Sequence, residues 1–236
     1  MPKQKTLYKT PFSPAYWRDA LADFRSLRVM VFAALMIAAC MALGIIPSFQ
    51  IMPGVKLVSF GYLARSLCAL VCGPVMGVVF GVAEDTLGFF LNSTGEPYFP
   101  GYALNTALGV LIYALFLYRT KVTVLRIFLA KLCNNVFINI ILSSLWASMW
   151  SDGGFLFIAG TKVVTNFVRL PFEVLILTVL YAAALPILHR MGFLPDQATE
   201  GLRFWRRWTE KKPVKEQPEQ PAAKKKKTPR KDPWEE

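Results

Sequence analysis

Apolar residues run through the middle of the chain in blocks that are long enough to cross a lipid bilayer as helices. About 20 apolar residues are needed for one helical crossing. The block 60–91 is interrupted at Cys72-Gly73-Pro74, and because proline fits the first turn of a new helix, we expect two helices there. The pattern therefore predicts six membrane-spanning helices. They are predicted at 29–46, 58–72, 74–91, 102–118, 122–150 and 163–188.

Charged residues are scarce within this apolar region, and their scarcity decides the fold class. The chain has 236 residues, of which 54% are hydrophobic and 18% charged, whereas a soluble domain carries about 25% charged residues. From 29 to 194, only 14 residues are Asp, Glu, Lys or Arg. So few charges cannot cover the surface of a soluble domain of that size. We therefore predict an all-α integral membrane protein, folded as a compact bundle of six transmembrane helices.

The two ends of the chain differ from the apolar middle, so three domains are predicted. The segment 1–28 is expected in the cytoplasm with an amphipathic helix at the membrane interface, because Trp17, Leu21 and Phe24 share one face. The middle, 29–190, is the six-helix transmembrane domain. The end, 191–236, is rich in Lys, Glu and Pro, a composition that cannot bury a core, so a disordered basic cytoplasmic tail is predicted.

Basic residues also predict the orientation of the protein and one class of partner. An even number of crossings places both termini on one side of the membrane, and both termini are basic. Arg119, Lys121 and Arg126 add bases to a short loop on that side, so both termini of this multi-pass cell-membrane protein are predicted to be cytoplasmic. The formal net charge of +12 indicates attraction to anionic membrane lipid. No nucleic-acid motif accompanies it, so no nucleic acid is predicted as a partner.

Polar side chains inside the predicted helices are the candidate functional groups, because an ionisable group in lipid normally faces a cavity or a partner. Lys162, Asn166 and Arg169 lie on one face of the last helix, and Glu173 follows one turn later. Pairing of Glu173 with Arg169 as a purely structural contact is one explanation. The excess of amides and bases over acids favours an anionic ligand that forms hydrogen bonds. The other candidates are Arg65, Glu84, Asp85, Asn105, and on the fifth crossing Lys131, Asn135 and Asn139, each four residues apart, with Asn134 alongside.

An aromatic loop and a stripe of alanines add two further predictions. Tyr98 and Phe99 lie among turn residues, in a loop that could close over a planar ring by stacking. An aromatic belt at the membrane interface is the alternative. Ala34, Ala38 and Ala42 repeat every four residues, a spacing that lets a helix of a second protein approach closely. Contacts within the same chain are the alternative for this stripe.

Features of an enzyme are few. The sequence contains a single histidine, His189, and neither a GxSxG nor an HExxH motif. All four cysteines lie in apolar runs, which is typical of small packing residues and not of a disulfide framework or a zinc site. We therefore predict that the protein is not an enzyme and that it needs no cofactor or metal.

These motifs resemble those of the substrate-binding S components of energy-coupling-factor (ECF) vitamin transporters, most of all the folate-specific branch. The resemblance covers about 28–190 and rests on the order and spacing of several short motifs together. The motifs are Gly61-Tyr-Leu-Ala-Arg65, Gly73-Pro74, Gly77-Val-Val-Phe-Gly81, Asp85, Pro97-Tyr-Phe-Pro-Gly101-Tyr, Asn135-x-x-x-Asn139, Ser144-Leu-Trp146 and Lys162-x-x-x-Asn166-x-x-Arg169-Leu-Pro171.

The resemblance implies a six-helix substrate-binding domain with a vitamin pocket that opens outward. Such S components lack an ATPase of their own. They associate through an alanine-rich first helix, here Ala34, Ala38 and Ala42, with a transmembrane coupling subunit that carries two ATP-hydrolysing subunits. The implied function is high-affinity binding of folate from the outside and its delivery inward. An S component for riboflavin, thiamin or biotin, and a structural membrane scaffold, remain the alternatives.

The resemblance also implies roles for individual residues. Asp85 would accept hydrogen bonds from the amino group and the ring N–H of a pterin. The sequence leaves open whether Glu84 or Asp85 faces the pocket. Tyr98 and Phe99 would cover the ring. The wall that holds the glutamate carboxylates of folate would comprise Lys131, Asn135, Lys162, Asn166 and Arg169, and the remaining candidates for substrate binding are Arg65 and Asn105.

Overall fold

The computed structural model describes residues 7–8, 11, 13–45, 50–52, 55–56, 60–91, 97–150 and 154–195. This part of the chain is helical apart from turns and one small antiparallel sheet, in which Gln50 pairs with Lys56. The elements are α1 Pro14–Phe24, α2 Leu27–Ile45, β1 Gln50–Met52, β2 Val55–Lys56, α3 Gly61–Leu91, α4 Pro100–Leu117, α5 Val124–Cys133, a π-helical segment Asn134–Leu142, α6 Ser143–Trp150 and α7 Phe155–Arg190.

The long helix α3 reverses direction at Gly73. The backbone of Gly73 has a φ of 77° and a ψ of −175°, and Pro74, which has no N–H, begins the second half. The side chains of Arg65 and Glu84, 19 residues apart, form two hydrogen bonds of 2.9 Å. A straight helix would separate their Cα atoms by about 28 Å. The two halves of α3, 61–72 and 74–91, therefore run antiparallel as two crossings, as the sequence predicted.

The predicted bundle of six transmembrane helices is confirmed. Five helical stretches in the described part of the chain are long and apolar enough to cross a membrane, and the reversal divides one of them, α3, into two. The helix that forms the last crossing begins at Phe155, before the predicted start at 163, and is 36 residues long, which is more than one crossing needs. The domain bounds and the cytoplasmic orientation stay predictions, and the tail from 196 onwards lies outside the described residues.

Small residues allow the helices of the bundle to lie close together. A Cβ atom added at Gly81 would lie 2.5 Å from the Cα atom of Ala107, so α3 and α4 touch backbone to backbone there. Cys68 and Cys72 are buried free thiols, as the sequence predicted for small apolar residues. Close contacts of this kind are the main attraction between helices in lipid, where the hydrophobic effect no longer drives association.

Candidate ligand-binding site

Two adjoining cavities lie between the helices and together contain the candidate site. The loop cavity has a volume of about 360 Å³ and lies where the end of α2, the start of α3 and the segment 97–102 meet. The interhelical cavity has a volume of about 140 Å³ and lies between α3, α4 and the run from α5 to α6. The loop cavity is lined by Cys40, Met41, Gly44, Gly61, Arg65, Glu84, Asp85, Gly88, Phe89, Pro97, Tyr98, Phe99 and Tyr102. The interhelical cavity is lined by Tyr62, Arg65, Asn105, Thr106, Gly109, Tyr113, Lys131, Asn134, Ile138, Asn139 and Ser143.

Arg65 lies between the two cavities and lines both of them. Its Nε and Nη2 atoms donate to the two carboxylate oxygens of Glu84, each over 2.9 Å. The Glu84 side chain is buried, and two parallel charge-assisted hydrogen bonds fix the plane of the guanidinium group. The opposite charges of Arg65 and Glu84 offset each other, so the two side chains together add no net charge to the site.

Asp85 contributes the second carboxylate of the loop cavity. Its Oδ1 atom accepts a hydrogen bond of 3.1 Å from Thr106 Oγ1. Because Thr106 lines the interhelical cavity, this hydrogen bond forms another part of the boundary between the two cavities. Both acids of the Glu84-Asp85 pair therefore reach the loop cavity, but both Glu84 oxygens are occupied by Arg65.

Aromatic side chains form one wall of the loop cavity. Tyr98 is 37% exposed, and its hydroxyl oxygen lies 3.0 Å from Thr86 Oγ1. The Phe99 ring meets the Trp146 ring edge-on, with 5.4 Å between the ring centroids. The Trp146 indole N–H donates to Asn105 Oδ1 over 3.0 Å. Trp146 therefore connects the aromatic wall to the helices of the interhelical cavity.

A buried cluster of two bases and one acid lies at the interhelical cavity. Lys131 Nζ lies 3.1 Å from Glu173 Oε2, and Arg169 Nη2 lies 3.5 Å from Glu173 Oε1. The Lys131 and Glu173 side chains are 4% and 5% exposed. Since two cations share one carboxylate, the cluster has a net charge of +1 in a region where an uncompensated charge is costly. The expected pairing of Glu173 with Arg169 is present, and a cavity is present beside it.

The π-helical segment determines which asparagines face the interhelical cavity. The four-residue spacing of Lys131, Asn135 and Asn139 predicts one face of an α-helix, but π-helical hydrogen bonds span five residues. Of the three asparagines in this segment, Asn134 and Asn139, five residues apart, line the cavity beside Lys131. Asn135 is buried next to this lining, and its Oδ1 atom accepts a hydrogen bond of 3.0 Å from Asn139 Nδ2.

The candidates on α7 lie around the cavity wall and not in it. Lys162 Nζ donates to Ser143 Oγ over 2.8 Å, and Ser143 lines the interhelical cavity. Asn166 Nδ2 donates to the Lys162 carbonyl oxygen over 2.8 Å. Among the predicted site residues, Arg65, Asp85, Tyr98, Phe99, Asn105 and Lys131 line the two cavities, while Asn135, Lys162, Asn166 and Arg169 surround them.

Tyr62 and Thr106 line the interhelical cavity, and the sequence analysis did not single them out. The Tyr62 hydroxyl is buried and has no hydrogen-bond partner within the described ranges, and a buried polar atom of this kind normally meets water or a ligand. A sequence signal existed for both residues. Thr106 directly follows Asn105 in a predicted crossing, and Tyr62 lies three residues before Arg65, within one helical turn.

The predicted partner surface on α2 is exposed. Ala34, Ala38 and Ala42 all lie on the surface, and the buried residues of α2 are only Val29, Ala33 and Cys40. The role of this stripe in binding a second protein stays a prediction. In the described ranges, no group of three or more His, Cys, Asp or Glu side chains is placed to hold a metal ion.

The chain is similar to known folate transport proteins. No family model matches the chain. The folate transporter FolT of Clostridium novyi (strain NT) is 26% identical over 153 residues, which cover 65% of this chain and 87% of that protein. A crystal structure of FolT bound with folic acid matches with a TM-score of 0.55 and 27% identity, covering 63% of this chain and 88% of the other.

Both comparisons confirm the resemblance to the folate-specific S components. Together with the long apolar helices, they support a multi-pass membrane protein. The curated relative is a transporter by name, in agreement with the prediction that this chain is not an enzyme.

Proposed function

We propose that this chain is the substrate-binding subunit of an ECF-type uptake transporter, and that it binds folate from the outside and delivers it inward with an ATPase-driven module. The observation that carries this proposal is a pair of adjoining cavities with opposite charge on the two sides of Arg65. Similarity to FolT, one structure of which holds folic acid, supports folate as the ligand.

The loop cavity fits the pterin end of folate. Its lining has a net charge of −1, because Arg65 offsets only one of the two acids, Glu84 and Asp85. The pterin amino group and its neighbouring ring N–H would donate two parallel hydrogen bonds to Asp85, an arrangement that discriminates against rings without those donors. Tyr98 and Phe99 would lie against the ring.

The interhelical cavity fits the glutamate end of folate. Lys131 brings positive charge to its wall from a cluster with a net charge of +1, and Asn105 and Asn134 add amide groups. Carboxylates bound there would neutralise a buried charge that is otherwise costly. The residues that surround the wall and would hold this lining in place are Asn135, Lys162, Asn166 and Arg169.

The energising module would bind along α2. Ala34, Ala38 and Ala42 are exposed on this helix and are small enough for a second helix to approach closely. The proposed partners are a transmembrane coupling subunit and two ATP-hydrolysing subunits. With both termini in the cytoplasm, the loop cavity would open to the outside, because α1 and the turn at Arg119 lie at the opposite end of the bundle.

Isothermal titration calorimetry of the purified chain tests the ligand. Folate is expected to bind without metal or ATP, and Asp85→Asn is expected to weaken binding at least tenfold, about 1.4 kcal/mol. Asp23→Asn makes the same change on α1, away from both cavities, and should bind folate as the wild type does. Failure of folate, riboflavin, thiamin and biotin to bind would reject the whole class of S components. Binding of another of these vitamins in place of folate would keep the class and reject the folate assignment.

A structural scaffold is the second candidate, because the contacts of Lys131 and Arg169 with Glu173 would hold helices together without any ligand. Arg169→Leu separates the two functions. The substitution leaves Lys131 and Glu173 as a neutral pair, so a transport subunit should lose affinity for folate and keep its melting temperature. A scaffold should instead lose melting temperature and show no folate binding before or after the change.

A further inference from the structure

The helix α1 is held against the bundle by a buried arginine from another part of the chain. Arg119 lies in the turn between α4 and α5, is 8% exposed, and has a positive φ of 49°. Its guanidinium group pairs with Asp19 of α1, and its Nη2 atom lies 3.0 Å from Asp23 Oδ2. Both acids of α1 are therefore bound by one base that lies some 96 to 100 residues further along the chain.

Tyrosines complete these contacts. Tyr8 donates its hydroxyl proton to Asp19 over 2.8 Å, and Tyr118 donates to Asp23 over 2.6 Å. Tyr16 is fully buried, and its hydroxyl donates to the carbonyl oxygen of Ala114. Burial raises the pKa of the Tyr16 phenol above its usual value, so it stays a neutral donor. These bonds fix which face of α1 turns inward.

The opposite face of α1, together with Arg25 just after it and Arg28 in the first turn of α2, is basic and apolar. Arg18, Arg25 and Arg28 are exposed, while the Asp19 and Asp23 side chains are only 31% and 14% exposed because they are turned toward Arg119. Beside the arginines, Trp17 and Leu21 are 41% and 54% exposed. From Pro14 to Arg28 the sequence has three bases and two acids, but in the folded chain the three bases are exposed while the two acids are partly or largely buried.

This face continues directly into the exposed apolar surface of α2. The membrane-spanning helix α2 begins at Leu27, two residues after Arg25, and its exposed residues include Leu27, Val31 and Leu35. A helix with exposed Trp and Leu beside arginines, at the end of a membrane crossing, matches helices that lie in the headgroup region.

We propose that the outward face of α1, with the adjoining Arg25 and Arg28, binds anionic lipid headgroups, and that Arg119 sets this preference from the interior by holding the carboxylates of Asp19 and Asp23 toward itself. Arg18, Arg25 and Arg28 contact the lipid phosphates, and the two exposed apolar side chains enter the acyl boundary. Arg119 is a positioning residue, since it is buried and contacts the acids and not the lipid.

Native mass spectrometry of the full chain, titrated with phosphatidylglycerol or phosphatidylcholine, measures this preference. The wild type is expected to bind phosphatidylglycerol more tightly, and the preference should fall as salt rises. The combined variant R18Q, R25Q and R28Q should lose about tenfold or more of the preference. The matched control K224Q, K225Q and K226Q removes the same charge from the tail and should keep it.

A rescue experiment separates this proposal from a simple count of bases. R119Q is expected to weaken the preference by freeing two acids at the surface, and adding D19N and D23N to R119Q is expected to restore it. Melting temperatures show whether each variant is folded. If R119Q does not fold, the combined variant R18Q, R25Q and R28Q still tests whether these arginines bind anionic lipid.

Three outcomes would overturn the proposal. In the first, the surface triple variant keeps its preference for phosphatidylglycerol. In the second, the tail control loses that preference equally. In the third, the wild type shows no preference between the two lipids, as expected if the outward face of α1 binds a protein instead.

Discussion

Lys131 and Glu173 touch each other, yet replacing them one at a time is expected to have different consequences. Lys131→Met removes one charge, keeps a long apolar side chain, and leaves Arg169 and Glu173 as a neutral pair 3.5 Å apart. We expect a loss of stability of about 1 kcal/mol. Folate affinity should fall by tenfold or more, because a hydrogen bond to a charged group contributes about 1.5–3 kcal/mol.

Glu173→Gln leaves two bases, Lys131 and Arg169, without their shared carboxylate. Breaking a buried ion pair costs about 3–5 kcal/mol, which corresponds to a fall in melting temperature of about 6–20 °C for a chain of this size. Because the positive charge at the cavity increases, folate should bind this variant at least as tightly as the wild type. Saturating folate should therefore recover part of the lost melting temperature.

Thermal unfolding of the detergent-solubilised protein, with and without saturating folate, measures both stabilities, and calorimetry measures the affinities. Lys121→Met removes a base from an exposed position outside both cavities and should leave the affinity for folate unchanged. Equal losses of stability in the two cluster variants, or unchanged folate binding by Lys131→Met, would show that a net positive charge does not prepare the interhelical cavity for an anion.

Two further changes test the contacts that shape the cavities. Gly81→Ala should destabilise the protein by about 1–3 kcal/mol in thermal unfolding, because the added Cβ atom would lie 2.5 Å from Ala107 Cα. Gly160→Ala is the control: its added Cβ atom would meet nothing within 4 Å, so the higher helix propensity of alanine should leave the stability unchanged or raise it by up to about 1 kcal/mol. Trp146→Phe keeps an aromatic ring but removes the 3.0 Å hydrogen bond to Asn105, so unfolding should become about 1 kcal/mol easier. Calorimetry should show weaker folate binding by the same variant, and an unchanged affinity would remove this tryptophan from the proposed site.

Features that act between neighbours in the chain were sufficient to predict the number of membrane crossings, although the last helix begins before the predicted start at 163. The length of an apolar run and the presence of Gly73-Pro74 are both local, so the division of α3 into two crossings was predicted correctly. Arg65, Asp85 and Lys131 were singled out in the sequence as polar groups inside crossings, and they line the two cavities, while their role in binding stays a prediction. A charged group in lipid needs a partner or a polar cavity wherever it lies, and this requirement can be inferred from the sequence.

The partner of each charged group depends on contacts between distant segments, which no local pattern encodes. Glu84 binds Arg65 because α3 folds back on itself, and Asp23 binds Arg119, 96 residues further on, because α1 lies against the bundle. A second feature that the sequence did not reveal is that Asn134, and not the neighbouring Asn135, lines the interhelical cavity. Wider π-helical turns rotate the polar face of a helix, and a spacing of four residues in the sequence does not reveal that rotation.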